Sequence, residues 1–241
     1  SCDRWRKDNL TNRYQGVQFG YTSAGRYTSW NDIWSYPGYK ERDILPGDYK
    51  YEDWNGDGEI NGQDEHPFAF DQTPWLQFSL NAGLQWKNLD FNMLLQGSAL
   101  GSMEYKEPLH EIWGKNGGGA LKQFLDRWHP VDPKADPYDP STVWTSGHYA
   151  YTGRWAKNNS AFNRVSTAYL RLKSIELGYT FPKLKQIPNA SLRIYANAYN
   201  LLTFTGVKFV DPEHPDDDLG RMYPLNKTYT CLLYTSDAAD E

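Results

Sequence analysis

From Leu76 to Trp86 every second residue is apolar, with Leu76, Phe78, Leu80, Ala82, Leu84 and Trp86 set against Gln77, Ser79, Asn81, Gly83 and Gln85. A period of two held over eleven residues demands an extended strand with one apolar and one polar face. A helix would scatter the same residues around its circumference. Lys87-Asn88 is a connection of hairpin length. The alternation then resumes with Leu89, Phe91, Met93 and Leu95 against Asp90, Asn92 and Gln96, broken only by Leu94. Two further strands are predicted. One sets Ile175, Leu177, Tyr179 and Phe181 against Ser174, Glu176, Gly178 and Thr180. After a short turn at 182–189, the other sets Leu192, Ile194, Ala196, Ala198 and Leu202 against Arg193, Tyr195, Asn197 and Tyr199. A last strand is expected to open near Leu225.

Strands in soluble sandwiches run about 5–6 residues, whereas a tilted strand needs roughly 9–11 to cross a bilayer. The strands here have the longer length. Trp75, Trp86, Tyr179, Phe181 and Phe204 gather at strand ends, as interfacial aromatics do. The connections are lopsided, because Gly101 to Thr167 forms an excursion of more than sixty residues beside the short turns. The fold class that follows is all-β: an incomplete transmembrane antiparallel β-barrel, open and curved as a sheet, with long extracellular loops at about 14–73, 101–167 and 205–224. The mean hydropathy of −0.77 and the absence of a long apolar run argue against a membrane-crossing helix. They do not argue against a barrel, whose alternating strands average to low hydropathy. The net charge of −5 argues against nucleic acid as a partner, since phosphate binding needs a basic face.

Within the long excursion, Ala120 to Trp128 is expected to form a short helix, and Pro130 to Pro140 is too proline-rich for regular structure. Cys2 and Cys231 have no metal-type spacing and form no disulfide framework. The chain begins at Ser1 without a signal peptide, which fits a fragment or a processed product. The last residues, Cys231 to Glu241, break from the preceding pattern and resemble translated sequencing-adapter read-through. Residues 1–230 are therefore expected to carry the fold, with 231–241 a non-native tail.

Residues 53–64 read D-W-N-G-D-G-E-I-N-G-Q-D. Asp53, Asn55 and Asp57 stand at positions 1, 3 and 5 of a calcium loop, Gly58 permits the turn, Glu59 can offer its carbonyl, and Asn61 and Asp64 fall at 9 and 12. Calcium takes six to eight hard oxygens, which this spacing supplies from one turn. Asp64 in place of the usual Glu shortens the last ligand. The flanking Pro46-Gly47 and Pro67 exclude EF-hand helices, so the expected role is a structural Ca2+ pinning a loop. An acidic turn that needs no ion has the same residues.

Trp113, Trp128, Trp144 and Trp155 lie in the long excursion, where an aromatic face could stack on a sugar ring. Packing among the loops would explain them equally well. The five histidines have no paired metal spacing, and no nucleophile motif frames any serine. The reading is of a protein that is not an enzyme, with no catalytic residue assigned.

Pro46-Gly47-Asp48 followed by DWNGDGEINGQDE, Tyr169 to Thr180 (YLRLKSIELGYT), Ser191 to Thr205 (SLRIYANAYNLLTFT), Asp211-Pro212-Glu213 and Tyr223-Pro224 together resemble segments of the SusC/RagA family of TonB-linked outer-membrane proteins, in order and in spacing. The resemblance implies the C-terminal part of a plugged barrel of about 22 strands in the outer membrane. It implies import of a glycan or oligosaccharide, or of peptides, driven by the TonB complex through an N-terminal part that this chain lacks. It also implies a SusD-like surface lipoprotein as partner. A secreted soluble calcium-stabilised carbohydrate-binding β module is the alternative at this stage. A calcium-dependent glycan hydrolase would further require paired acidic residues in a cleft.

Overall fold

The computed structural model describes residues 17–39, 43–106, 109–110, 120–151, 159–181, 190–214 and 220–237. The chain divides into two compact units, one of residues 1–73, 102–165 and 215–221, the other of residues 74–101, 166–214 and 222–241.

The second unit holds the long strands β1 (Leu76–Trp86), β2 (Leu89–Ala99), β3 (Tyr169–Phe181), β4 (Ala190–Thr205) and β5 (Thr228–Asp237). They form one antiparallel five-stranded sheet in the order β5-β4-β3-β2-β1. Register lines the predicted apolar residues into continuous rows. One row runs Leu80, Leu95, Leu172, Leu202; the next Ala82, Met93, Ile175, Ala198, Tyr229; the next Leu84, Phe91, Leu177, Ala196, Cys231. This face stays open, with Leu84 66 % and Phe204 64 % exposed. Burying such a side chain is worth about 1.5–3 kcal/mol, so an apolar face this continuous belongs against hydrocarbon and not water.

The opposite face is polar. Ser79, Gln96, Arg171 and Thr203 share a row, as do Gly83, Asn92, Glu176, Asn197 and Thr230. Arg193 Nη2 meets Asp90 Oδ2 at 2.6 Å and Glu176 Oε1 at 3.1 Å. Gly178 makes room for that trio, because a Cβ there would press on both the Asp90 carboxylate and the Arg193 guanidinium.

Lys87, at φ 53°, turns the β1–β2 hairpin as the two-residue connection predicts. The turn expected at 182–189 lies outside the described residues. The third strand reaches back to Tyr169, five residues beyond the alternation that begins at Ser174. A bulge between Leu172 and Ser174 inserts Lys173 against β2, while on the other side Asn200 and Leu201 of β4 face that one residue; the outward residues of β3 switch there from even to odd numbers. The break expected at Cys231 is also absent from the backbone. The last strand opens at Thr228, not Leu225, and residues 231–237 continue it, with Cys231 paired to Ala196 and Leu233 to Ile194.

In the first unit, segments from before β1 and from the long connection fold together. Val17–Gly20 pairs with His66–Phe70, and Ser23–Arg26 with Tyr49–Tyr51. The core is built largely of tyrosine: Tyr21, Tyr39, Tyr49 and Tyr51 are buried with Ile60 and Ala150. Phe162, from the far end of the long connection, packs 4.4 Å from the Tyr49 ring centroid. The helix expected over Ala120 to Trp128 is reduced to one 3₁₀ turn at Lys122–Leu125. Phe124 is drawn inward against the Tyr149 ring at 4.7 Å, and the Trp128 amide bonds to the Tyr149 carbonyl at 2.8 Å, ending the helical ladder. An unanticipated short helix spans Trp30–Ser35, capped by the Ser29 hydroxyl on the Asp32 amide.

Candidate functional site

Two of the four tryptophans singled out by sequence, Trp113 and Trp155, lie outside the described residues. The other two, Trp128 and Trp144, come together in one cleft of the first unit, of about 480 Å³, which also takes in Trp30 and Trp34. Each wall has a local cause. Trp144 lies in a two-residue strand, Trp144–Thr145, opposite His129–Pro130, and its ring meets Tyr151 edge-on at 5.4 Å. Trp128 lies over Gly47, whose φ of 90° and missing Cβ both matter, because a Cβ would overlap the indole. The glycine is held by its amide on the Tyr27 carbonyl at 2.6 Å and by Arg26 Nη1 on its own carbonyl at 2.9 Å. Trp30 and Trp34 are carried by the short helix, and the signal that would have found them is Ser29 with Asp32 three residues later, the spacing of a helix cap.

Among the described residues, no charged side chain lines this cleft. The nearby Asp32 is committed elsewhere, bonded to Lys50 Nζ at 2.7 Å, and that contact holds its carboxyl below the usual carboxylate range. The indole N–H groups of Trp30 and Trp144 are buried without a hydrogen-bond partner.

The predicted calcium loop is a tightly bonded turn. Asp53 accepts from the amides of Gly56 (2.7 Å), Asp57 (3.2 Å) and Gly58 (2.8 Å). The Asn55 Oδ1 accepts from the Asp57 amide, Asp57 from the Glu59 amide, and Asn61 from the Gln63 amide. Asp64 is fully buried, with one oxygen accepting from the Trp54 amide at 2.9 Å and the other from the Asn61 amide at 2.8 Å. Sequence spacing missed this role for Asp64, which ties the turn shut through backbone amides. Among the described residues no three acidic, histidine or cysteine side chains are grouped as a metal-ligand set.

On the polar face of β3, Arg171 and Lys173 reach the loop after β4. Arg171 engages Asp211 and Glu213, and Lys173 Nζ meets both Glu213 oxygens at 2.8 and 3.0 Å. The Lys173 bulge thus sets a second cation beside Arg171, and the Asp-Pro-Glu segment docks on the pair.

No protein-family profile matches the chain. It is similar to TonB-dependent receptor P3 of Formosa agariphila, with 29 % identity over 71 % of this chain and 16 % of that receptor. It is similar also to TonB-dependent receptor P26 of the same organism, with 28 % identity over 83 % of this chain and 19 % of that receptor. The chain thus spans less than a fifth of the length of these curated relatives. Among solved structures, the RagAB peptide transporter superposes with a TM-score of 0.58 at 19 % identity, over 91 % of this chain and 22 % of that one. The open-open state of the RagAB peptide importer gives 0.56 with the same coverage. The fold is that of a piece of a SusC/RagA-type TonB-dependent barrel. Its strands are outer-membrane strands. Their apolar rows form the lipid-facing side and their polar rows the interior side of a TonB-dependent barrel wall.

Proposed function

We propose that the chain forms part of the wall of an outer-membrane nutrient importer driven by the TonB complex, acting by binding and passage without covalent chemistry. The observation that carries this reading is the set of unbroken apolar rows across five strands, backed by a polar face. A wall between lipid and a watered interior needs that division. The similarity to TonB-dependent receptors supports the import reading. A SusD-like surface lipoprotein is the expected cap, and glycans or oligosaccharides are the expected cargo in preference to peptides. The turn at Asp53 to Asp64 is proposed to take a structural Ca2+. Carboxylate oxygens keep lone pairs beyond those given to amides, so Asp53, Asn55, Asp57, Asn61 and the Glu59 carbonyl can serve as ligands, with Asp64 closing the turn behind them.

Fractionation of the whole protein tests the reading. The expected result is recovery in the outer-membrane fraction with migration that shifts on heating in detergent. Recovery in the soluble fraction would overturn it and favour the secreted module.

A further inference from the structure

We infer that residues 206–214 form a strap folded down onto the interior side of the wall, where it narrows the passage, with Phe209 at its crest. The inference rests on the import reading for the passage itself.

The direction of the chain is the first observation. The strand β4 ends at Thr205, which pairs with Tyr169 at the start of β3. A chain leaving that rim for solvent would meet nothing further down the sheet. Instead Asp211 and Glu213 reach Arg171 and Lys173, two and four residues in from Tyr169 on the polar face. At about 3.3 Å per residue, Lys173 lies about 13 Å along the strand from the rim. Arg171 keeps only 2 % exposure under this cover, and Val207 and Pro212 are also buried. A layer laid on the face of a sheet stands about 10 Å from it, so the strap takes that depth from the interior.

The latch is balanced in charge. Two carboxylates of the strap meet two cations of the wall, and the closed pair of contacts carries no net charge. What the strap offers the passage is therefore bulk and an aromatic ring.

Phe209 stands between the Val207 and Asp211 anchors at φ 72°, with its side chain 52 % exposed. A bulky residue seldom takes that left-handed backbone. Such strain persists only where the surroundings over-determine it, and it gathers at contact sites. Here both flanks are fixed. The Val207 amide donates to Thr205 Oγ1 at 3.1 Å, and the Glu213 amide donates to Asp211 Oδ1 at 3.0 Å. A strained, half-exposed ring on a pinned segment is the part of the strap that a solute in the passage meets.

The test uses the whole protein in detergent, carrying Phe209→Cys or, as an exposed control in the first unit, Tyr138→Cys. Each is treated with a small maleimide and with one bearing a long polyethylene-glycol chain. Labelling is read peptide by peptide by mass spectrometry, which keeps Cys231 out of the comparison. The small reagent is expected to label both positions, and the long one to label position 138 freely. At position 209 the long reagent is expected to react about tenfold more slowly or worse, since it enters only when the strap lifts. Adding Asp211→Asn and Glu213→Gln, which remove the charges and keep the side-chain shapes, is expected to restore most of that rate. Circular dichroism matching the parent shows that the variants are folded, and the size comparison stands without the added pair. Equal size dependence at positions 209 and 138 would overturn the inference, as would a folded latch variant that leaves position 209 protected. Neither outcome changes where the protein fractionates, so failure of the strap and failure of the import reading are separable.

Discussion

Arg171 is held on the polar face of β3 by Asp211, whose two carboxylate oxygens lie 2.8 and 2.9 Å from its Nη2, while its Nη1 meets Glu213 at 2.9 Å. The guanidinium is 2 % exposed, and Thr203 on β4 accepts from its Nε at 2.9 Å. This one side chain joins two strands and the loop that leaves the second of them.

Removing Asp211 takes both carboxylate bonds from Arg171 Nη2 but leaves Nη1 beside Glu213, so the cost falls below that of a fully stranded buried charge. Asp211→Ala is therefore expected to destabilise the sheet unit by about 1–3 kcal/mol in urea unfolding from lipid vesicles. Lys173 is more exposed, and Lys173→Ala should cost less than about 1 kcal/mol. Equal effects from the two would contradict the assignment of Arg171 as the anchor.

His110 gives the first unit a pH dependence. Burial, and then the Arg26 charge, push its pKa down from 6.5 to about 4, and its ring stacks on Tyr49. A depressed histidine is neutral in the folded chain and takes a proton more readily when unfolded. Stability is thus complete above about pH 6.5 and falls as the pH drops toward 4, by about 2 kcal/mol at pH 5. Thermal melts followed by near-ultraviolet circular dichroism should show that loss, and His110→Phe should show less of it.

Gly47→Ala should collapse the tryptophan cleft without touching the sheet. The new methyl meets the Trp128 indole at a left-handed φ of 90°, where a side chain adds strain of order 1–2 kcal/mol. The expected outcome is an altered tryptophan emission with unchanged heat-modifiable migration.

The turn at Asp53 to Asp64 separates metal binding from structure. Asp57→Ala should lower calcium affinity in calorimetry and leave barrel insertion unchanged. Asp64→Ala should destabilise the first unit by about 2–3 kcal/mol even in EGTA, because buried amides lose their acceptor. A parent protein that takes up no calcium would remove the metal proposal and leave the Asp64 prediction standing.

Alternation made the sheet legible. Lipid on one side and polar groups on the other impose a strict period on β1 and β2, and the hairpin at Lys87 follows from the gap between them. Lys173 defeated the same rule, because one inserted residue reverses parity and hides the first turn of β3. The first unit has no period to read. Its core comes from tyrosines such as Tyr21 and Tyr51 on short strands, brought beside Phe162 across a long stretch of sequence. Trp128 and Trp144 were legible as residue types in a loop. Their meeting with Trp30 and Trp34 was not, since it depends on Gly47 and on a capped helix of six residues.

The sheet order places β1 at one margin and β5 at the other, and among the described residues no further strand of that sheet lies beyond either. Each margin offers a ladder of amides and carbonyls at membrane depth, and every such group left bare in hydrocarbon costs several kcal/mol. A tile of this kind cannot float alone in a bilayer. It must be grouted on both sides, and the chemistry of the joint is already fixed: antiparallel neighbours would have to match their own apolar rows to those of Leu84 and Leu233, residue for residue.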